Sequence, residues 1–516
     1  MRRILLPLLA LLATAPSALP AQFAPLTIPR GRFAIELRTY SESWDNRFLG
    51  GQKQPSGTDF TRTAIGADFF PALAGPEEVL AALSGTPGQI LNLGNVSAIQ
   101  ISSQREFGVG LAIGVTSRLT VSGLVPIRRV RVQTLTEFDG TDANAGINPV
   151  DPALGTPTGA GATISFFASF DAALVTLAER LASGTWDNDP ATRAVAQATL
   201  AEGQALRDGL YGVMVDAATR SAFLPTAGSL AGAALLNRIA SLQQQFSTAL
   251  GIDGFTGQPA FATEPMTSEA FSDFLTNPQG PVAGSLLAPP ITRLGDIELG
   301  AAYLILDRPA TTPWGRSLRV AANATVRLRT SQLASPDRFF ELGTGERQPD
   351  VELGMTLDAS RGRGALRVAG WYNLQLAGNQ LRRIGPPSQP IQFANRTAAL
   401  SRNPGDVMGV TILPAYRFTP RFAFVGGVEW WRRGDDAYAY VEGQLPLEGI
   451  DPNLLAVESA ASALTARGGL TWSHPGGSGT PLDAAVTWER VVSAGGGRVP
   501  QSEIVRAMLR IYGRIW

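Results

Sequence analysis

The chain has 516 residues, no cysteine, one histidine, and 43 acidic against 43 basic side chains. The missing thiols exclude disulfides, thiolate metal sites and cysteine nucleophiles, and the balanced charge gives no footing for nucleic acid. Charged residues make up only 17% of the chain while glycine is abundant, as expected where a broad surface band meets hydrocarbon instead of water.

Taken in order, Met1, Arg2 and Arg3 precede an apolar run from Ile4 to Ala13 and small residues up to Ala21. This pattern predicts a secretory signal peptide over 1–21; the run falls short of the roughly twenty apolar residues that a spanning helix needs. No later stretch reads as long and apolar enough for a membrane helix, so a membrane protein here has to be a barrel.

The rest alternates. Strands are expected near Gly31–Ser41, Val96–Val115, Arg118–Thr136, Gly295–Leu306, Arg316–Thr330, Pro349–Ala359, Ala365–Ala377, Gly405–Phe418, Arg421–Arg433, Ala461–Ser473, Pro481–Val492 and Ser502–Ile515. In the sixth, Val351, Leu353, Met355 and Leu357 share one face, and Asp350, Glu352, Thr356 and Asp358 share the other. The even connections are short (Thr116 with Ser117, Asp307–Gly315, Ser360–Gly364, Thr419 with Pro420, His474–Thr480), and most of the odd ones are long. An even-stranded barrel with both ends on the periplasmic side produces this alternation of short inner turns and long outer loops, and nothing in a soluble sandwich imposes it. The fold class read here is therefore all-β, a transmembrane antiparallel β-barrel of about 12 strands with a helical insertion in a long outer loop.

That division gives a signal peptide at 1–21, a first part of the barrel at 22–136, a helical insertion at 137–294 and the remainder of the barrel at 295–516. Within the insertion, Phe166, Phe170, Ala173, Leu174, Leu177 and Leu181 follow helical spacing, as do Leu235, Ile239, Leu242 and Phe246. Asp189 before Pro190 marks a helix start, Pro225 a break, and a shorter helix is expected at Glu77–Leu83. The insertion can plug the lumen or cap it, and the spacing does not choose. In the third strand Leu119, Val121, Val125 and Ile127 share a face that Val130 and Val132 leave, which calls for a bulge near Arg128 and Arg129 or an exit from the membrane.

The inward face collects the candidate pore-lining residues: Glu298, Arg319, Asn323, Arg327, Arg329, Glu352, Arg367, Trp371, Arg417, Glu429, Arg467 and Glu489. Acidic and basic members occupy neighbouring strands and can pair across them. Alternatively Arg319, Arg327, Arg367 and Arg417 form a positive stripe that favours anions or electron-rich ligands. Trp44, Tyr303, Trp314, Tyr372, Tyr416, Phe418, Phe422, Trp430, Trp472, Trp488, Tyr512 and Trp516 fall mostly near strand ends, where amphipathic rings favour the membrane interface. His474 is expected in an inner turn with no serine partner, and no HExxH, P-loop or calcium-loop motif occurs, so neither catalysis nor any metal or nucleotide cofactor is expected. The terminal strand ends in an aromatic residue, but Arg510 and Arg514 interrupt the phase of Tyr512 and Trp516.

The stretches GDIELGAAYLILD (Gly295–Asp307), PGDVMGVTILPAYRFTPRFAFVGGVEW (Pro404–Trp430) and EFGVGLAIGVTSRLTVSGLVPI (Glu106–Ile127) resemble the outer-membrane family annotated with the phenol-degradation meta-pathway. Where that family often shows Pro-Thr-Gly after the fifth strand, Arg329, Thr330 and Ser331 stand here. The barrel reading implies an outer-membrane channel or transporter for small molecules, with outer-membrane lipid, the barrel-assembly machinery and a small-molecule substrate as partners; hydrophobic or aromatic cargo is implied by the resemblance alone. The alternative is a surface structural or adhesive barrel whose helical outer loop binds a partner.

Overall fold

The computed structural model describes residues 25–515 apart from 89, 153–157, 313–314 and 475–480; the expected signal peptide, Trp314 and Trp516 lie outside the described residues. Twelve strands form the wall: β1 Arg32–Trp44, β2 Asn95–Gly114, β3 Leu119–Asp139, β4 Ile297–Arg308, β5 Arg316–Leu328, β6 Asp350–Arg361, β7 Gly364–Gln375, β8 Val407–Arg417, β9 Phe422–Arg433, β10 Ala461–His474, β11 Leu482–Gly496 and β12 Glu503–Arg514. Each pairs antiparallel with its neighbours in sequence, and β1 pairs with β12 from Arg32↔Arg514 to Ser43↔Glu503. The sheet is therefore closed, and every wall strand has a partner on both sides.

Period-two alternation explains the two surfaces. Ile35, Phe107, Val109, Leu111, Val121, Val125, Leu299, Leu353, Met355, Met408 and Phe424 are all exposed on the outside, a set of apolar side chains that water would penalise and lipid accepts. On the other face of the wall Glu106, Glu352, Arg367, Thr411, Glu429 and Glu489 point inward and are buried. A closed antiparallel barrel with an apolar outer belt is a bilayer-spanning architecture, that of the bacterial outer membrane. Phe418 and Phe422 stack across the β8–β9 turn at the inner rim, while Tyr372 and Trp430 stand toward the outer rim. Two of the expected interfacial aromatics face inward instead: Trp44 is 8% exposed, and the Tyr512 hydroxyl donates to Asp483.

No bulge occurs in β3. Its ladder with β2 runs unbroken from Asn95↔Asp139 to Gly114↔Thr120, so the phase never changes. The continuous apolar outward row stops at Ile127, where Arg129, Arg131 and Gln133 follow before Leu135, which fits an exit from the membrane, and Val130 and Val132 are buried on the inner face beyond it. Bulges lie elsewhere, between Val320 and Ala321 and between Leu464 and Thr465.

Beyond the belt, the long β2–β3 ribbon meets a helical cap: α1 Ala74–Ser84, α2 Ala160–Ala182, α3 Pro190–Met214, α4 Leu230–Gln244 and α5 Ser268–Thr276. The α3 start is fixed by Asp189, whose carboxylate accepts from the Thr192 backbone N–H at 3.1 Å. Pro225 ends a short strand, Phe223–Pro225, paired with Ala145–Ile147. One apolar core joins Phe166, Phe170, Leu177, Leu206, Leu235 and Ile239 of the helices to Val96, Ala98 and Val132 of the ribbon and to Phe340 and Ile391 of later outer loops. The expectation that no later helix is long and apolar enough to span a bilayer is corrected by α2, which meets both criteria over 23 residues. Its apolar face packs inside the cap, because Phe166, Phe170 and Leu177 recur at helical spacing on one side.

Candidate functional site: the barrel lumen

The inward residues form an ionic lattice. Arg128 on β3 pairs with Glu106 on β2 at 2.7 Å, Glu106 with Arg38 on β1 at 3.1 Å, and Arg38 with Glu298 on β4 at 3.4 Å. Since β2 and β3 separate β1 from β4 in the wall, that last contact spans part of the lumen instead of following a ladder. Arg327 on β5 continues the chain to Asp350 at 2.8 Å and Glu352 at 2.9 Å on β6. Arg367 on β7 holds Asp358 at 2.5 Å. On the opposite side Arg467 sits between Glu429 at 2.7 Å and Glu489 at 3.5 Å, Glu489 also receives Arg506 at 2.9 Å, and Arg510 pairs with Glu36. A buried carboxylate stripped of its guanidinium would be strongly disfavoured, so these pairs hold each other in place.

The twelve sequence candidates fall into distinct places. Glu298, Asn323, Glu352, Trp371 and Glu429 line a cavity of about 220 Å³ within the barrel. Arg327, Arg367, Arg467 and Glu489 belong to the surrounding ion pairs. Arg319 is half-exposed and pairs with Asp307 at 2.9 Å. Arg417 lines a separate inner-mouth cavity of about 450 Å³ with Arg363, Arg421 and Tyr512. Arg329 is past the end of β5, exposed in a bend. The positive stripe is thus largely neutralised, since Arg319, Arg327 and Arg367 each hold a carboxylate.

Sequence reasoning missed Glu36, Arg38, Glu106, Arg128, Arg506 and Arg510. The signal was available in β1, where Phe33, Ile35 and Leu37 alternate with Ala34, Glu36 and Arg38. The same logic resolves the terminal strand: Arg506 and Arg510 point into the lumen, while Val505, Ala507, Leu509 and Ile511 form the outward face.

Two further features shape the lumen. Pro25, Leu26, Thr27 and Ile28 enter it and line the 220 Å³ cavity, anchored where the Ile28 N–H donates to Thr120 Oγ1 at 2.7 Å. Trp371 lies flat against Gly409 of β8; a Cβ there would come within 2.4 Å of ring atom Cζ2, so the tryptophan's position depends on that glycine. No cap residue lines this cavity.

A third cavity, of about 160 Å³, opens at the outer mouth between the β2–β3 ribbon and the cap. Its wall is mostly apolar and aromatic, with Phe60, Phe69, Phe138, Phe271, Leu275 and Phe340. Phe138 of β3 and Phe271 of α5 stack with centroids 4.5 Å apart. His474 ends β10 in place of lying in a turn, and its ring stacks on Trp472 at 6.1 Å.

No family model matches the chain, and no curated protein matches it. Among solved structures it is similar to an outer membrane channel from Pseudomonas putida F1, at 9% identity over 97% of this chain and 100% of that one, with a TM-score of 0.41. It is also similar to a Pseudomonas aeruginosa FadL homologue (8% identity, 94% and 91% coverage, TM-score 0.27) and to a Ralstonia pickettii toluene transporter (12% identity, 94% and 90% coverage, TM-score 0.26). Likenesses this distant say nothing about cargo; the closed strand order and the apolar belt are what define the barrel.

Proposed function

We propose that this chain is an outer-membrane channel or transporter for small molecules, with hydrophobic or aromatic compounds as cargo. The observation that carries the reading is the aromatic-walled cavity at the outer mouth, placed where a molecule arriving from outside first meets the barrel. At about 160 Å³ it matches the size of apolar cavities, roughly 150 Å³, that accept a single benzene ring. The resemblance of Gly295–Asp307 and Pro404–Trp430 to the phenol-degradation-associated family supports the same cargo class. The cavity inside the barrel, lined by wall residues and entered by Pro25–Ile28, provides a narrow route whose gate is the ionic lattice. Secretion through the signal sequence and insertion by the barrel-assembly machinery belong to this reading.

The test is uptake of a radiolabelled aromatic hydrocarbon by cells producing the full chain, compared with cells lacking it. Faster uptake in producing cells, slowed severalfold by Phe271→Ala without change in the amount of folded barrel, supports the reading. Equal uptake with and without the chain overturns it. The Arg38–Glu298 contact across the lumen favours a second reading, a barrel that anchors its cap as a binding surface. Planar-bilayer conductance that stays nil after removal of the cap would select that one.

A further inference from the structure

On the outer surface, immediately beyond the apolar row of β2 and β3, three arginines lie together. Phe107 and Ile127 are the outward apolar pair that directly precedes them, and exposed Ile101, Ile99 and Leu135 follow beyond them on the same face. The outward pair next to Phe107↔Ile127 along the ladder is Arg105↔Arg129, and the one after is Ser103↔Arg131. All three guanidinium-bearing residues are exposed, and among the described residues none forms an ion pair.

The arrangement is costly by itself. Like charges directly opposite on one face of an antiparallel pair repel, and a third follows one step along the same strand. Elsewhere on the outer face the chain neutralises such a charge: Arg490 of β11 pairs with Glu503 of β12 at 3.0 Å. At Arg105, Arg129 and Arg131 no carboxylate performs that task, so the cluster is open to an anion from outside the protein, whose binding would relieve the repulsion.

Position selects the anion. These side chains stand on the lipid-facing side, at the end of the belt that leads to the cap and away from the short β2–β3 turn, at the depth of the outer-leaflet headgroups. Guanidinium groups bind phosphate oxygens through paired N–H donors. We propose that Arg105, Arg129 and Arg131 form a binding site for the phosphate of a phosphorylated outer-leaflet glycolipid, which packs its acyl chains along Phe107, Val109, Val125 and Ile127. The lipid neutralises the arginine cluster and fixes the height of the β2–β3 ribbon, and with it the cap, relative to the membrane surface.

The experiment uses the full chain purified in detergent and incubated with bisphosphorylated lipid A, with the same lipid after dephosphorylation, or with inorganic phosphate, and retained lipid is counted by native mass spectrometry. The expected result is retention of the phosphorylated lipid and about a hundredfold weaker retention by the triple variant R105Q/R129Q/R131Q, since each basic contact near a headgroup is worth about fivefold in affinity. R490Q leaves retention unchanged. The cluster is overturned as the site if the folded triple variant, checked by heat-modifiable gel mobility, retains as much lipid as the parent. Phosphate recognition is overturned if the parent holds the dephosphorylated lipid equally well, an arm that decides the matter even should the triple variant fail to fold. Competition by millimolar inorganic phosphate that strips the site would assign it to the free ion and overturn the lipid.

Discussion

The barrel wall and the cap solve burial in opposite ways. In the wall the apolar residues face outward and the charges are enclosed, so Leu353 and Met355 are exposed while Glu352 and Arg367 are buried. In the cap the order is the usual one, with Phe166, Phe170, Leu206 and Leu235 inside and polar residues such as Glu179 and Arg193 outside. The contrast shows that the chain is written for two solvents. Where the medium is lipid, hydrophobic burial within the protein contributes little, and closed ladders with paired charges hold the structure. Where the medium is water, packing against an apolar core takes over.

Breaking one side at a time should sharpen this contrast. The largest effects are expected from the two kinds of interior. Arg467→Ala leaves Glu429 and Glu489 short of a cation, and barrel stability in urea should fall by about 3–5 kcal/mol with the cap still folded. Phe170→Ala should cost a similar 3–5 kcal/mol or so, but in the cap, read as faster amide exchange in α2–α4 while the wall strands stay protected. Equal exchange in both regions would merge the two into one cooperative unit. Next, Met355→Arg on the lipid face should destabilise the barrel by about 2–4 kcal/mol if that position lies near the bilayer midplane, and by far less if the belt is placed differently.

The smallest effect belongs to Asp436, in the outer ribbon beyond β9. Burial by itself would raise its carboxyl, but Arg433 and Arg402, aided by the Gly405 N–H, hold it below the usual carboxylate range. A depressed group stabilises the folded form above its unfolded value, about 3.9, and that stabilisation disappears as pH falls through the lower folded value. The ribbon containing Tyr438 and Tyr440 should therefore hold steady from neutral pH to about pH 4 and loosen below it, as followed by amide exchange. In Asp436→Asn that acid step should vanish.

All twelve wall strands were legible because period-two alternation is local and each inner turn is short. Only their ends moved, as at β1, which runs on to Trp44. The helices of the cap were legible for the complementary reason, a 3.6-residue period in Phe166–Leu181 and Leu235–Phe246. What the sequence hid was contact across empty space. Arg38 and Glu298 are 260 positions apart and meet only because the cylinder closes, and Pro25–Ile28 carry no periodic signature of their place inside the lumen. The apparent phase break at Arg128 came from reading membrane and aqueous stretches of one continuous strand as a single pattern.

The seam between β1 and β12 has a consequence for assembly. Its twelve register pairs include Glu36↔Arg510, 474 positions apart, whose side chains also pair, so this ladder cannot form until the final strand is available. Until that moment the nascent wall carries two raw borders of unsatisfied N–H and C=O groups, each ready to capture a stray ribbon. Making the protein is thus a race between zipping that border shut and losing it to a neighbour, and whatever escorts the chain to the membrane has to shield those two borders above all.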